Sequence, residues 1–494
     1  MNETAALERI TGLAPLDYGL LVIAVAALFV ISYFKGREET DTKDYFLGNR
    51  KTPVWVGTLS FVATEISAMT IVGIPPIGFT ENWQYMQFFI GSAIARIFIA
   101  FFFIPAFYKF NCTTIYEFLK HRFGAETQYA GSAFFFVTRL FASGVRLYAA
   151  SLAVSVIMGW PLGNTIGFFT LISIIFIGFG GIKAVMWTGT FETITFYLAG
   201  GAVASYLLLH IDGGLAGAFN VASEAGKLSI FNFGWDLKNP NVLWAALLNG
   251  VFGSMASFGT DQELMQRLLT LETRRESQKT LIATIFASVP LTALYLGIGT
   301  LLFVFYKQNP ALLQPANADK ILSHFTIHVL PAGLKGLVLA AVVLASIDSP
   351  LSSLSSSFIT DIYRPLIKKD GAEKHYLFVS RLSVGCFGLL LAGIAWFCAA
   401  GSGRMLWLAF KVNGVTAGSL LGVFLLGLMT KRISNRGNVA AMLISSSFAG
   451  FLLYLSEKGY PIGWSWIVVI GTISTFALGY LFGKKPEQSQ PPAA

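Results

Sequence analysis

The sequence predicts an all-α integral membrane protein whose core is an inverted pair of five-helix repeats. Three observations lead to this fold class: few charged residues, recurring long apolar segments, and interruptions of two segments at matching places. Of the 494 residues, 54% are hydrophobic and only 12% are charged, which is about half the charge of a soluble domain. Most of the chain therefore faces lipid or other helices.

Long apolar segments recur along almost the whole chain, and about thirteen reach the roughly 20 helical residues that cross a hydrocarbon core. They lie near 17–34, 53–79, 84–108, 128–158, 163–182, 187–210, 242–260, 278–306, 334–360, 377–400, 405–430, 437–456 and 462–483. Lys and Arg residues concentrate in the loops on one side of this arrangement. Because cytoplasmic loops are the more basic ones, we expect the N-terminus outside and the C-terminus in the cytoplasm.

The segments form a single expected domain over residues 1–483, followed by a polar, proline-rich tail, 484–494, that we expect to be disordered. The expected parts of the domain are an extra first helix with its cytoplasmic loop (1–52), a first five-helix repeat (53–210), a second repeat (242–430) and two additional helices (437–483). The net charge of +9 comes from basic residues in short loops, so we expect a lipid bilayer as partner and no nucleic acid.

The second apolar segment carries polar and helix-breaking residues together. Glu65, Ser67 and Thr70 are followed by Pro75 and Pro76, and each proline removes a backbone donor and frees a carbonyl one turn earlier. Such a break persists in a bilayer only where it lines a cavity or is buried in protein. The segment therefore predicts either a binding site or a proline-kinked structural helix.

The seventh segment repeats this interruption through Gly250, Gly253 and Gly259, just before Asp261. If segments two to six form one repeat and seven to eleven the other, each interrupted segment comes first in its repeat. Matching interruptions of this kind indicate a central binding site between inverted repeats.

The ninth segment contains Asp348 between Ser346 and Ser349, directly before Pro350. An aspartate in the middle of a membrane helix is costly unless it has a function or a partner. Freed carbonyls, serine hydroxyls and one carboxylate would suit a small cation such as Na⁺. The alternative is an aspartate paired with an internal cation for structural reasons.

Further charged residues fall within the predicted helices: Arg96, Arg139, Arg146, Glu192, Arg381 and Lys411. Arg139 and Arg146 are seven residues apart and share one helix face. Together with Lys411, they have Glu65, Glu192 and Asp348 as expected partners. Arg96 and Arg381 alternatively extend to a membrane interface.

Five local motifs carry a resemblance to a known family. They are Asp44–Arg50, Thr113–Leu119, Gly180–Thr188, Asp261–Arg267 and Asp361–Tyr363. In this order and between these segments, they resemble the sodium:solute symporter family, and the likeness runs from about residue 17 to 483. The resemblance implies a LeuT-like fold, coupling to Na⁺ and alternating access.

The resemblance also implies candidate site residues. The main Na⁺ site of the family corresponds here to Ala63, Ile66, Val342, Ala345 and Ser346. The family usually has two adjacent hydroxyl residues where this chain has Ala345 and Ser346, so one ligand is missing. The candidate solute-binding residues are Glu65, Ser67, Thr70, Gln87, Arg146 and Phe258.

Two departures from the family pattern bear on the ligands. Members with an additional Na⁺ site have an aspartate at Gly189 and hydroxyl residues at Asp348 and Ser349, so we hypothesise that the carboxylate has moved to Asp348. Sialic acid transporters have an arginine at the position of Ala142. That assignment is therefore not supported here, although Arg139 and Arg146, one turn away on either side, leave an acidic solute open.

Together these features indicate sodium-coupled symport of a small organic solute, such as a sugar or a carboxylate, into the cell. We expect a multi-pass protein of the plasma (inner) membrane that is not an enzyme and needs no organic cofactor. The alternatives are a proton-coupled or sodium-independent transporter that uses Asp348 and Lys411, or a transporter-like solute sensor.

Overall fold

The computed structural model describes residues 12–36, 41–236, 239–347, 350–400, 404–458, 460, 463 and 465–484. Within these ranges the regular structure is helical, apart from an isolated antiparallel bridge between Ile433 and Lys484. The predictions for Asp348 and Ser349 lie outside the described residues. So do those for the side chain of Lys411 and for the tail from residue 485 onward.

The helices are numbered here in chain order. The first half of the chain forms α1 (Pro15–Gly36), α2 (Thr42–Leu47), α3 (Val54–Glu65), α4 (Ala68–Thr80), α5 (Gln87–Phe98), α6 (Ile104–Lys109), α7 (Tyr116–Arg122), α8 (Ala125–Met158), α9 (Leu162–His210) and α10 (Gly214–Glu224). The second half forms α11 (Leu243–Ser254), α12 (Gln262–Leu269), α13 (Arg274–Gln308), α14 (Ile321–His328), α15 (Leu334–Ile347), α16 (Leu351–Ser357), α17 (Glu373–Ala400), α18 (Arg404–Met429), α19 (Arg436–Glu457) and α20 (Trp466–Phe482).

Many of these helices can cross a membrane. Within the described ranges, 8 helices are long and apolar enough, and the bent pair of α3 and α4 brings the number to 9. Shorter apolar helices cover Leu243–Gly259, Gly414–Met429 and Trp466–Phe482. The 49 residues of α9 are divided at Gly181, whose φ of 49° and ψ of −154° are not helical. An all-helical, multi-span architecture is thus confirmed, while the number thirteen and the orientation stay predictions.

The first interrupted span breaks earlier than the prolines suggest. α3 ends at Glu65 and α4 begins at Ala68, and their axes differ by 64°. Ile66 and Ser67 between them are extended, with ψ of 92° and 172°. Pro75 and Pro76 instead lie inside α4, which continues to Thr80. The expectation that the prolines mark the break is therefore wrong: the helix stops where polar residues border cavities.

The predicted interruption of the seventh segment also occurs in the structure. α11 continues into a π-helical turn, Met255–Gly259, before α12 starts. In the ninth segment, α15 is described up to Ile347 and α16 from Leu351, and α16 continues into a second π-helical segment, Phe358–Ile367. α3 packs on α9 and α13, and α4 packs on α13 and α15. This arrangement brings the α3/α4 break next to the described residues on either side of Asp348, since Ser67, Ser346 and Pro350 line one cavity.

Glycines allow the closest helix contacts. α5 and α11 approach so closely that a Cβ at Gly91 would collide with the carbonyl oxygen of Leu247, and a Cβ at Gly250 with that of Phe88. Small residues at such crossings let membrane helices pack backbone against backbone. Gly250 therefore serves both to weaken α11 and to seat it against α5.

Gly250→Ala should lower the free energy of unfolding by about 1–3 kcal/mol, because the added methyl group must push α5 and α11 apart. The measurement is the thermal unfolding midpoint of the purified protein in one detergent. Gly201→Ala in α9 is the control, since no atom lies within 4 Å of a Cβ built there. Equal midpoints for the two variants would contradict this account of the crossing.

Candidate functional site

The break between α3 and α4 borders a narrow cavity, called cavity A here. Ala63, Ser67, Ala345, Ser346 and Arg146 are among its lining residues. Its volume of about 40 Å³ accommodates a few waters or one small ion. Ala63 and Ser67 lie beside the α3/α4 break, and Ala345 and Ser346 lie in α15 just before Asp348, so the structure brings together two segments that the sequence singled out.

Oxygen atoms are concentrated around cavity A. The last carbonyls of α3 have no partner within their helix, and Ala63 belongs to this last turn. On α15, the Ser346 hydroxyl donates to the carbonyl of Val342 at 2.6 Å. The Ser173 hydroxyl donates to the carbonyl of Ile347 at 3.0 Å. Carbonyls at the ends of broken helices are the groups that coordinate small cations in transporters.

The five residues expected at the main cation site do not all face cavity A. Ala63, Ala345 and Ser346 line it, and the carbonyl of Val342 is held by the Ser346 hydroxyl. Ile66 lies on the opposite side of the break and lines a different cavity. The structure therefore does not place the Ile66 side chain with the other four residues.

Two larger cavities lie next to the break. Cavity B, of about 220 Å³, is bordered by Glu65, Arg146 and Phe258 among others. Cavity C, of about 260 Å³, is bordered by Glu65, Thr70 and Phe258. Glu65 and Phe258 line both B and C, whereas Arg146 lines both A and B. The three cavities thus meet around the break, and B and C have the size of a small organic molecule.

Glu65 forms a buried ion pair with Arg96 of α5. The same guanidinium donates to the hydroxyls of Thr284 at 2.8 Å and Ser288 at 2.9 Å, and it lies 4.8 Å from the ring centre of Phe258. Arg96 is only 1% exposed, so the expectation that it extends to a membrane interface is wrong. The pair neutralises Glu65 at the wall of both solute-sized cavities.

Arg139 pairs with Asp261 and Glu263, rather than with the expected Glu65 or Glu192. Its guanidinium lies 2.6 Å from a Glu263 oxygen. The pair connects α8 to the junction of α11 and α12, and both Arg139 and Asp261 line cavity B. Sequence reasoning missed these partners, although two acidic residues directly after a glycine-rich interruption were a usable signal.

Gln87 is placed differently from the other solute candidates. Its side-chain amide donates to the carbonyls of Gln84 at 3.0 Å and Asn241 at 2.8 Å, and its oxygen accepts from the N–H of Asn232 at 3.1 Å. The described side chains that line cavities A, B and C do not include Gln87. Its side chain instead fastens the start of α5 to the segment before α11.

Gly189 occupies the position where family members with an additional Na⁺ site have an aspartate, and it is tightly packed. A Cβ there would lie 2.8 Å from the Ser60 hydroxyl oxygen of α3. That oxygen accepts a hydrogen bond from Arg267 at 3.2 Å. A larger side chain at Gly189 therefore requires a different arrangement of α3 and α9.

Comparison with known proteins agrees with this geometry. The model of the sodium:solute symporter family matches residues 45–445. The sodium/sialic acid symporter SiaT of Proteus mirabilis is 30% identical over 478 residues, which cover 94% of each chain. The sodium/glucose cotransporter of Vibrio parahaemolyticus is 28% identical over 470 residues, covering 90% of this chain and 86% of its own.

Solved structures agree as well. A substrate-bound, outward-open Na⁺-coupled sialic acid symporter superimposes with a TM-score of 0.87 and 25% identity, covering 96% of this chain and all of its own. A transporter of the nucleobase-cation-symport-1 family in a closed conformation has a TM-score of 0.52 at 15% identity, covering 88% and 92%. The second likeness concerns the fold alone.

Arg96→Gln should destabilise the protein by about 3–5 kcal/mol, because it leaves the Glu65 carboxylate buried without its counter-charge. The double variant Glu65→Gln, Arg96→Gln should recover most of this loss. Thermal unfolding midpoints of the variants in one detergent measure both effects. A double variant no more stable than Arg96→Gln would show that the ion pair does not govern stability here.

Proposed function

The chain belongs to the sodium:solute symporter family, a family of Na⁺-coupled membrane transporters and not of enzymes, and on that premise we propose that it imports a small organic carboxylate together with Na⁺. One observation carries the choice of a carboxylate: Arg146 borders both the ion-sized cavity A and the solute-sized cavity B. A guanidinium in this place can hold an anionic solute beside the coupling ion.

For Na⁺ we propose a site in cavity A. Its ligands would be the carbonyls of Ala63 and Ala345 and the hydroxyl of Ser346, with Val342 and Ile66 completing the set. The helix break beside cavity A supports this proposal, because it presents carbonyls that no N–H of α3 occupies. We further propose that Asp348, with Ser349, supplies the carboxylate that the family has at the position of Gly189.

For the solute we propose cavities B and C. Thr70 would supply a hydroxyl, Phe258 an apolar face, and Arg146 the charge, whereas Ser67, which lines cavity A, would act on the solute from beside the coupling ion. Gln87 would act by fixing α5 and not by contact. Glu65 is neutralised by Arg96, so it would accept hydrogen bonds from solute hydroxyls with little repulsion of a carboxylate. Ala142 adds no charge to cavity B, which gives no support to a sialic acid assignment.

Coupling would follow from the shared break. Ion and solute each stabilise the conformation of Ile66 and Ser67 that the other needs, so binding of one strengthens binding of the other. The Arg139 pair with Asp261 and Glu263 connects two helical units across one end of cavity B. It would have to rearrange before a solute could leave in that direction.

The proposal includes the topology. We infer thirteen spans with the N-terminus outside and the C-terminus in the cytoplasm of a cell whose plasma (inner) membrane holds the protein. The single domain 1–483 would consist of 1–52, repeats 53–210 and 242–430, and helices 437–483. Support comes from the interruptions at α3/α4 and α11/α12, each of which leads its repeat.

Ser346→Ala should raise the Na⁺ concentration for half-maximal uptake about tenfold or more, because the hydroxyl that is proposed to bind Na⁺ is lost. Asp348→Ala should abolish Na⁺-stimulated uptake. The measurement is solute uptake into proteoliposomes under an inward Na⁺ gradient. Ser446→Ala is the control, since Ser446 makes the same bond to the preceding turn, at 2.8 Å to Met442, but in α19.

Unchanged sodium dependence in Asp348→Ala would refute the hypothesis that Asp348 replaces the aspartate that family members have at the position of Gly189. Uptake driven by a proton gradient without Na⁺ would favour the proton-coupled alternative. Saturable solute binding without net flux would favour a sensor.

Arg146→Gln should raise the KM for a carboxylate solute about tenfold or more, because a charge-assisted contact is removed. The solute is first chosen by a thermal-shift screen of sialic acid, lactate and glucose, each with and without Na⁺. Arg436→Gln is the control, because Arg436 is an exposed arginine of α19 that pairs with Glu126. Glucose as the strongest stabiliser, with unchanged KM in Arg146→Gln, would overturn the carboxylate proposal.

A further inference from the structure

An apolar groove lies on the outer wall of the protein, away from cavities A, B and C. It runs between the second half of α1, the first half of α9 and the start of α17, and it has a volume of about 480 Å³. Phe29, Tyr33, Phe176 and Phe179 form its walls, and Arg381 is its charged lining residue. Among the residues that the structure describes, the groove therefore combines an apolar trough with one cationic group.

Contacts between the helices fix the shape of the groove. The Ser32 hydroxyl of α1 donates to the carbonyl of Phe176 in α9 at 3.1 Å. Gly36 and Gly180 allow the two backbones to touch one turn farther on, where a Cβ on either would collide with the other helix. α17 packs on the same part of α9, so the trough is bounded by fixed backbones.

The rim of the groove faces the surroundings of the protein. Tyr33 is 62% exposed and Phe179 is 71% exposed. In a chain that spans a bilayer, such exposed aromatic side chains contact lipid. An acyl chain is therefore the apolar material that is available to fill the trough.

The position of Arg381 supplies the second argument. It lies eight residues after Glu373, the first residue of α17, or about 12 Å along the helix. Half of a hydrocarbon core is about 15 Å thick. Helical side chains tilt toward the N-terminus of their helix, so the guanidinium is directed from within the leaflet toward the nearer phosphate layer.

The same end of the protein carries further positive charge. Lys35, at the end of α1, lies 4.2 Å above the ring of Trp187. Lys183 adds no net charge there, because it pairs with Asp44 at 2.7 Å. Basic pockets between membrane helices attract anionic headgroups.

We propose that this groove binds an anionic glycerophospholipid of the adjacent leaflet. Its acyl chain lies along Phe176 and Phe179, and its phosphate contacts Arg381 and the Tyr33 hydroxyl. The inference concerns the wall of the protein and does not depend on the identity of the transported solute. It also holds for either orientation of the chain, since both leaflets have a phosphate layer.

The test is native mass spectrometry of the detergent-purified protein with phosphatidylglycerol or phosphatidylcholine of identical acyl chains. Phosphatidylglycerol should be retained preferentially. Arg381→Gln should weaken its retention about fivefold, the effect of one basic residue near an anionic surface. Arg381→Lys should keep most of the retention. Arg436→Gln should keep all of it, because the side chain of Arg436 is 91% exposed and lies outside the groove.

A second variant tests the apolar trough and leaves the charge of Arg381 unchanged. Ile175→Trp fills the groove from α9 and should reduce retention of phosphatidylglycerol while the thermal midpoint stays at the wild-type value. Equal retention of the two lipids, or unchanged retention in Arg381→Gln, would overturn the proposal. So would a cross-link between Tyr33→Cys residues of two copies, because a second chain would then occupy the groove.

Discussion

Carbonyl groups released where a membrane helix stops are the constraint on which the rest of this structure depends. In hydrocarbon an unsatisfied backbone group costs several kcal/mol, so a break is stable only beside a polar cavity or buried protein. The break after Glu65 meets this condition on both sides. Ala63 faces the ion-sized cavity A, and Ile66 faces the solute-sized cavity C. Two cavities thereby share one short extended segment.

Buried charges are arranged so that they stabilise the surroundings of this segment. Glu65 and Arg96 neutralise each other at the wall of the larger cavities. Farther along, Asp361 is fully buried and accepts hydrogen bonds from Thr114 at 2.7 Å and from Gln128 and Ser132 at 2.8 Å each. These bonds tie the π-helical segment after α16 to α7 and α8. The helices around the cavities are therefore held by polar contacts as well as by apolar packing.

The interruptions could be predicted from the sequence because they leave a local signature of glycine, serine and acidic residues in an apolar context. The partners of the buried charges could not, because pairing depends on which helix faces share a level in the membrane. Arg96 illustrates this: its position in the sequence is compatible with an interface, and only the packing of α5 on α13 and the place where α3 ends bring it against Glu65. The prediction that Pro75 and Pro76 mark the break was wrong for a related reason, since neighbouring helices accommodate both prolines within a continuous α4.

The packing at Gly189 gives a physical reason for a carboxylate to be absent there. The Ser60 hydroxyl occupies the space next to Gly189, donates to the carbonyl of Val185 at 3.3 Å and accepts from Arg267 at 3.2 Å. An aspartate at Gly189 would displace Ser60 and leave the buried Arg267 without that acceptor. A carboxylate needed for a second cation would then have to come from another helix. Asp348, the next residue in the sequence after α15, is the residue that we propose for this role.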